Sequence, residues 1–118
     1  MRAKDAVGRR GEDIAEAYLE ARGLRILDRN WRCRDGEIDL VALDGAVVVI
    51  VEVKARTSLA YGHPFEAVDA RKLARLHRLA VAWCRDHLPA VPPWRVDVVG
   101  VLDDGSGSPA VEHLRGVA

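Results

Sequence analysis

Asp39, Glu52 and Lys54 are the residues whose types and spacing could do chemistry. Asp39 is followed, after twelve residues, by Glu52-Val53-Lys54, and Glu37 lies two positions before Asp39. Carboxylates are the hard oxygen donors that Mg²⁺ or Mn²⁺ takes. An ammonium group beside such a cation could reach a bound water or a phosphate oxygen. The spacing predicts that these groups meet, because both acidic pieces fall in one hairpin, GEIDLVALDGAVVVIVEVKAR from Gly36 to Arg56. Ile38 to Leu43 and Ala46 to Val53 are its apolar strands. Asp44-Gly45 between them tolerates the positive φ angles of a two-residue turn. That turn pairs Leu43 with Ala46, Val41 with Val48, Asp39 with Ile50 and Glu37 with Glu52. Side chains alternate along a strand, so Asp39, Ile50, Glu52 and Lys54 share a face, with Glu37 beside them. Asp39 and Glu52 are then diagonal neighbours, roughly 7–8 Å apart. Carboxylates so placed repel unless a cation compensates. The expected metal ligands are Asp39 and Glu52, with Lys54 acting on water or phosphate. The competing reading is a solvated strand end carrying a plain Glu52–Lys54 pair.

The elements around this hairpin must position it. Residues 5–22 read as a first helix, with Val7, Gly11, Ile14, Ala15 and Tyr18 at helical spacing and Gly23 as its stop. Gly8 and Gly11 each cost a helix about 1 kcal/mol, which suggests a close backbone approach. Leu24 to Trp31 reads as a strand. It leads into Arg29-Asn30-Trp31-Arg32-Cys33-Arg34, where arginines around a tryptophan either contact phosphates and stack on a base or form a solvated loop with Trp31 turned inward. Ala55 to His63 is a loop, and His63 has no nameable partner. Pro64 starts a second helix that Pro89 ends. Leu73, Leu76, Ala80 and Trp83 form its core stripe. Arg71, Arg75, Arg78 and Arg85 form a basic stripe, either a solvated face or a track along a nucleic-acid backbone, and Lys72 falls between the two. His77 and His87 read as structural or exposed. Trp94 to Leu102 is a strand, Asp103 to Pro109 a turn, and Ala110 to Leu114 a short last strand. Asp97 inside that apolar run is expected to bond backbone or pair with a helix arginine.

Composition narrows the classes. The chain has 118 residues, 49% apolar and 31% charged, which fits one globular domain, 1–118. No apolar run approaches the ~20 residues of a membrane span, and the N-terminus lacks the apolar core of a signal peptide. The expected location is the cytoplasm, with no membrane partner. Cys33 and Cys84 have no metal-ligand spacing, so free thiols are expected rather than zinc or a disulfide. Eighteen basic residues balance eighteen acidic ones, which argues against a strong non-specific nucleic-acid binder. The balance is uneven: residues 1–80 hold 15 Lys/Arg against 13 Asp/Glu, and residues 81–118 hold 3 against 5. Bound cations would make the acidic site locally positive.

Asp39 followed by Glu52-Val53-Lys54 resembles the PD-(D/E)xK signature of the restriction-endonuclease-like superfamily, with Ile38 where the superfamily name has Pro. GRRGEDIAEAYL, GEIDLVA, VEVKAR, GHPFEAV and WRVDVV together resemble the small bacterial UPF0102 (YraN-like) family over nearly the whole chain. The resemblance implies a fold related to Holliday-junction resolvases and other metal-dependent nucleases. It further implies that Glu12, on the first helix, joins the active site, and that Arg56 contacts phosphate.

The order helix, strand, hairpin, helix, strand, strand predicts an α/β sandwich. A central mixed sheet is flanked by helices, and the strands on either side of the second helix are parallel. The expected function is metal-dependent hydrolysis of phosphodiester bonds in DNA or structured nucleic acid. Asp39, Glu52 and Val53 hold Mg²⁺ or Mn²⁺, Lys54 and Glu12 act in catalysis, and Arg56, Arg71, Arg75 and Arg78 contact nucleic acid. Branched DNA is a candidate substrate, and symmetric cleavage of a junction would require a homodimer. The alternative is a non-catalytic nucleic-acid-binding or assembly module on the same fold, which would depend on the arginines and ignore metal. A pure protein-interaction domain would bind no nucleic acid even at low salt.

Overall fold

The computed structural model describes residues 6–58, 60, 62, 65 and 68–118. Its elements are α1 (Ala6–Ala21), β1 (Arg25–Cys33), β2 (Gly36–Asp44), β3 (Val47–Arg56), α2 (Ala70–His87), β4 (Trp94–Leu102) and β5 (Ala110–Leu114). The strands form one mixed sheet in the order β1-β2-β3-β4-β5. Only β3 and β4 run parallel, and α2 lies in the crossover that joins them. This is the expected α/β sandwich. No helix among the described residues is long and apolar enough to cross a membrane.

Alternation along the central strands separates two cores. Val41, Val48, Ile50 and Val96 pack against Leu76, Leu79, Ala80, Trp83 and Cys84 of α2. Leu40, Ala42, Val49, Val51, Val99 and Val101 pack against Ala15 and Leu19 of α1. The two helices therefore cover opposite faces. The inward stripe of α1 is Gly11, Ala15 and Leu19, whereas Val7, expected on that stripe, is exposed at the helix start.

Helix ends follow local chemistry. Gly23 (φ +89) closes α1: its N–H donates to the carbonyl of Glu20, and the N–H of Leu24 donates to that of Leu19. These are the two bonds of a Schellman stop. α2 starts at Ala70 rather than at Pro64, because Asp69 accepts the Lys72 N–H at 2.9 Å and caps the helix. Pro64 and His63 lie outside the described residues.

Two expectations about the strands need correction. The arginine-rich segment after Arg29 is strand, not loop. It pairs with β2 through Cys33↔Gly36, and Trp31 and Cys33 pack against the α2 core. The β2–β3 register also differs by two residues, running Leu43↔Val48 and Asp44↔Val47. The two loop residues are Gly45 and Ala46, with only Gly45 at positive φ (+60). A turn with glycine first, rather than second, moves both strands along. Asp44 stays in the strand, held by Arg95 at 2.9 Å and Arg115 at 3.3 Å. A shift of two preserves which residues share a face.

Gly11 marks the close approach of α1 to the sheet. A Cβ there would lie 2.5 Å from the Cβ of Ala55, an atom that cannot rotate away. Alanine gains about 1 kcal/mol of helix propensity over glycine, but overpacking costs about 1–3 kcal/mol. Gly11→Ala is therefore expected to lower stability by about 1 kcal/mol in a urea melt. A stabilised variant would show that the helix can move off the sheet freely.

Candidate functional site

β2 and β3 separate where the acidic residues sit. Their pairing ends at Leu40↔Val51, while β3 continues along β4 as far as Arg56↔Leu102. The result is a fork in the sheet. Continuing the register by one residue sets Asp39 directly across from Glu52, which corrects the expected diagonal placement. Instead of a strand bond across the fork, the Val53 N–H donates to the Asp39 carboxylate at 2.8 Å.

Local irregularity aims Asp39 into this fork. Ile38 and Leu40, two residues apart, should share a face, yet Ile38 packs toward α2 and Leu40 toward α1. On β1, Asn30 stands between Arg29↔Leu40 and Trp31↔Ile38, hence opposite Asp39. Asn30 has φ +53, a left-handed conformation that asparagine tolerates better than most residues. The alternation is thus broken on both strands at the same level.

A cavity of about 460 Å³ opens between the fork and the first turns of α2. Asp39, Glu52, Val53 and Lys54 line it together with Arg32, Cys33, Gly36, Glu37, Lys72 and Arg75. Asp39 is 6% exposed and Glu52 7%, so neither carboxylate is solvated as on an open strand end. Glu52 Oε2 lies 3.4 Å from Lys54 Nζ, and Glu37 Oε2 accepts from Arg32 Nε at 2.8 Å. Lys72 is held below the usual lysine range, first by its contact with Lys54, then by desolvation and the nearby charges of Lys54 and Arg75, while Glu52 opposes the shift.

The metal-ligand candidates and Lys54 therefore come together, and Arg75 joins them. Glu12, 2% exposed, does not line the cavity. It accepts from Asn30 Nδ2 at 2.9 Å and lies 3.5 Å from Arg29 Nε. Arg29 also binds Asp13 at 2.7 Å and Glu16 at 3.5 Å. The path from Glu12 toward the site runs through Asn30, which faces Asp39 across the β1–β2 ladder. Arg56 lines a second cavity of about 350 Å³, with Val7, Arg10 and Gly11 of α1, and donates to the carbonyl of Ala55 at 3.0 Å. Arg71 and Arg78 are exposed and outside the first cavity. Lys72 is the cavity residue that stripe-counting along α2 missed. Its signal was the three-residue spacing to Arg75, which puts both on one side of the helix.

Among the described residues no three His, Cys, Asp or Glu side chains form a ligand cluster. The donor set nevertheless fits a hard cation of the Mg²⁺ type, which is held by one or two carboxylates and keeps several waters. Asp39 and Glu52 supply that number.

Asp97 belongs elsewhere. It is fully buried and bonds backbone, the first of the two expectations, by accepting from the Gly116 N–H at 2.9 Å. Its arginine partner is Arg95 of the same strand (3.0 Å) rather than one from a helix, and His113 Nε2 lies at 2.8 Å. Burial pushes its carboxyl up, but Arg95, Gly116 and His113 together hold it below the ordinary aspartate range.

Residues 11–101 match the family described as Uncharacterised protein family UPF0102. A UPF0102 protein of Arthrobacter sp. (strain FB24) is 72% identical over 117 residues, covering 99% of each chain. One from Pseudarthrobacter chlorophenolicus is 65% identical over the whole of this chain and 89% of its own. One from Frankia casuarinae is 53% identical over 98% of each.

Proposed function

We propose a function from one premise: the chain belongs to the UPF0102 family. The reading is a Mg²⁺- or Mn²⁺-dependent hydrolase of phosphodiester bonds in DNA or structured nucleic acid. The observation that carries it is the fork between β2 and β3. It brings two nearly buried carboxylates, Asp39 and Glu52, to one cavity with Lys54, opposite Lys72 and Arg75.

Asp39, Glu52 and the Val53 carbonyl would hold the cation. When bound, it polarises a phosphate oxygen and lowers the pKa of a coordinated water. Lys54 orients the attacking water and stabilises the charge that develops on the phosphoryl oxygens. Its pairing with Glu52 fixes the ammonium at the cavity wall. Glu12 supports the site from behind, by holding Asn30 opposite Asp39. Branched DNA is the proposed substrate form, acted on in the cytoplasm, and symmetric junction cleavage would use two copies of the chain. A non-catalytic nucleic-acid-binding or assembly module is the second reading. The Glu52–Lys54 pair, which satisfies one carboxylate without metal, favours it.

Thermal stability tests the metal site without a substrate. Mn²⁺ or Mg²⁺ should raise the melting temperature of the wild type. A ligand at 100 times its Kd stabilises by ~2.7 kcal/mol, several degrees for a domain of this size. Asp39→Asn is the informative variant, because its amide oxygen still accepts from the Val53 N–H while the charge is removed. It should melt higher than wild type in chelator and lose most of the metal response. A wild type indifferent to both metals removes the hydrolase reading. Cleavage of labelled branched and linear DNAs, with and without Mn²⁺, then separates hydrolase from binding module.

A further inference from the structure

We infer that Lys72 and Arg75, together with Lys54, form a phosphate-receiving site on the α2 wall of the cavity, which engages one phosphodiester of a nucleic-acid strand without a metal. The identity of the anion rests on the hydrolase reading; the geometry does not. Lys54 projects from β3 and Lys72 from the first turn of α2, and both line the cavity. Lysine carries donors only, so the two offer an entering group donors and no acceptor. Arg75 adds a guanidinium one turn further along the same side of α2. Like charges three or four residues apart on a helix repel. Three cations from two elements are thus held around one space, with Glu52 near Lys54 as a counter-charge within it.

A tetrahedral phosphate in that space relieves the repulsion. Its two non-bridging oxygens can accept from the lysine pair and from the planar fork of Arg75, which suits phosphate. Asp39, Glu52 and Lys54 lie on the fork side of the same cavity, and Lys72 and Arg75 on the helix side. A strand backbone entering here meets Lys72 and Arg75 along one wall and Lys54 beside the carboxylates along the other. Arg71, Arg78 and Arg85 of the same helix lie outside the cavity, so of the stripe predicted from spacing Arg75 alone reaches the site, joined by Lys72.

Fluorescence anisotropy with a short labelled oligothymidylate, in chelator and over a range of salt, tests this. Lys72→Ala should weaken binding and lower the log–log salt slope by ~0.7, the value for one phosphate contact to a single strand. Lys72→Arg should restore most of both. Arg85→Ala makes the same charge change some thirteen residues along α2, roughly 20 Å away, and should have the smaller effect. Equal effects of Lys72→Ala and Arg85→Ala would mean diffuse attraction and overturn the inference, as would wild-type binding by Lys72→Ala or no binding by the wild type. Binding that depends on Lys72 in a protein that cleaves nothing with Mn²⁺ or Mg²⁺ would support this site and remove the hydrolase reading.

Discussion

Lys54→Ala is expected to lower single-turnover cleavage by about 100- to 1,000-fold, the range for removing one positioned donor that stabilises charge in a transition state. Lys54 sits at the cavity wall, 3.4 Å from Glu52 and beside Lys72. In the proposed mechanism it touches water and phosphate but not the cation. The variant should therefore keep the metal-induced rise in melting temperature. Loss of both cleavage and metal response would mean that Lys54 holds Glu52 in place rather than acting on the substrate. Undiminished cleavage would end the assigned role altogether. Lys72 is close enough to substitute in part, so the Lys54→Ala/Lys72→Ala double variant should fall below either single one.

Asp97→Asn is expected to cost about 3 kcal/mol, near the lower end for breaking a buried ion pair by removing one partner. The Asp97 carboxylate faces Arg95, the Gly116 N–H and His113. Arg95 and Gly116 only donate, and His113 donates when Nε2 carries its proton. A carboxylate offers acceptors to all three, whereas an amide turns a donor toward one of them. Arg95 keeps its bond to Asp44 and part of its exposure, which places the cost at the low end. A loss of that size lowers the melting temperature by on the order of 10 °C for a domain this small. The pH dependence follows from the depressed carboxyl. Its stabilisation is complete above the unfolded aspartate value and is lost as the pH falls toward the lower folded value. Urea melts should thus converge for the two proteins in acid and separate toward neutrality. A neutral-pH difference below about 1 kcal/mol would show that water replaces the network. The cluster ties the segment after β5 to β4. Asp97 pairs with Val51 beside the fork, but none of Asp97, Arg95, His113 and Gly116 lines the cavity, so the metal response should survive.

Much of this molecule was legible in the sequence because its signals are local. Alternation of apolar residues with turn residues located the strands, Gly23 and Pro89 bracketed helix ends, and a helix between two apolar strands implied the parallel β3–β4 pair. The shared face of Asp39, Glu52 and Lys54 was also readable, since side-chain direction repeats every two residues and survives a two-residue error in register. The register itself was not readable from Asp44-Gly45. The glycine takes the first loop position instead, and Asp44 remains in the strand, where Arg95 and Arg115 reach it from the far end of the chain.

What only the tertiary structure decided are the places where elements distant in sequence set each other's geometry. Pairing with β2 turned the arginine-rich segment into strand and packed Trp31 inward. The left-handed Asn30 on β1 coincides with the break that aims Asp39 into the fork. Docking of α2 through Leu76, Leu79, Ala80 and Trp83 turned Lys72, rather than Arg71, into the cavity with Lys54. No periodicity in one segment reports the phase of another across a sheet. Spacing along the chain could therefore name the carboxylates, Lys54 and the arginine stripe, but which members of α2 face the carboxylates, Lys72 and Arg75, was chosen by how α2 docks.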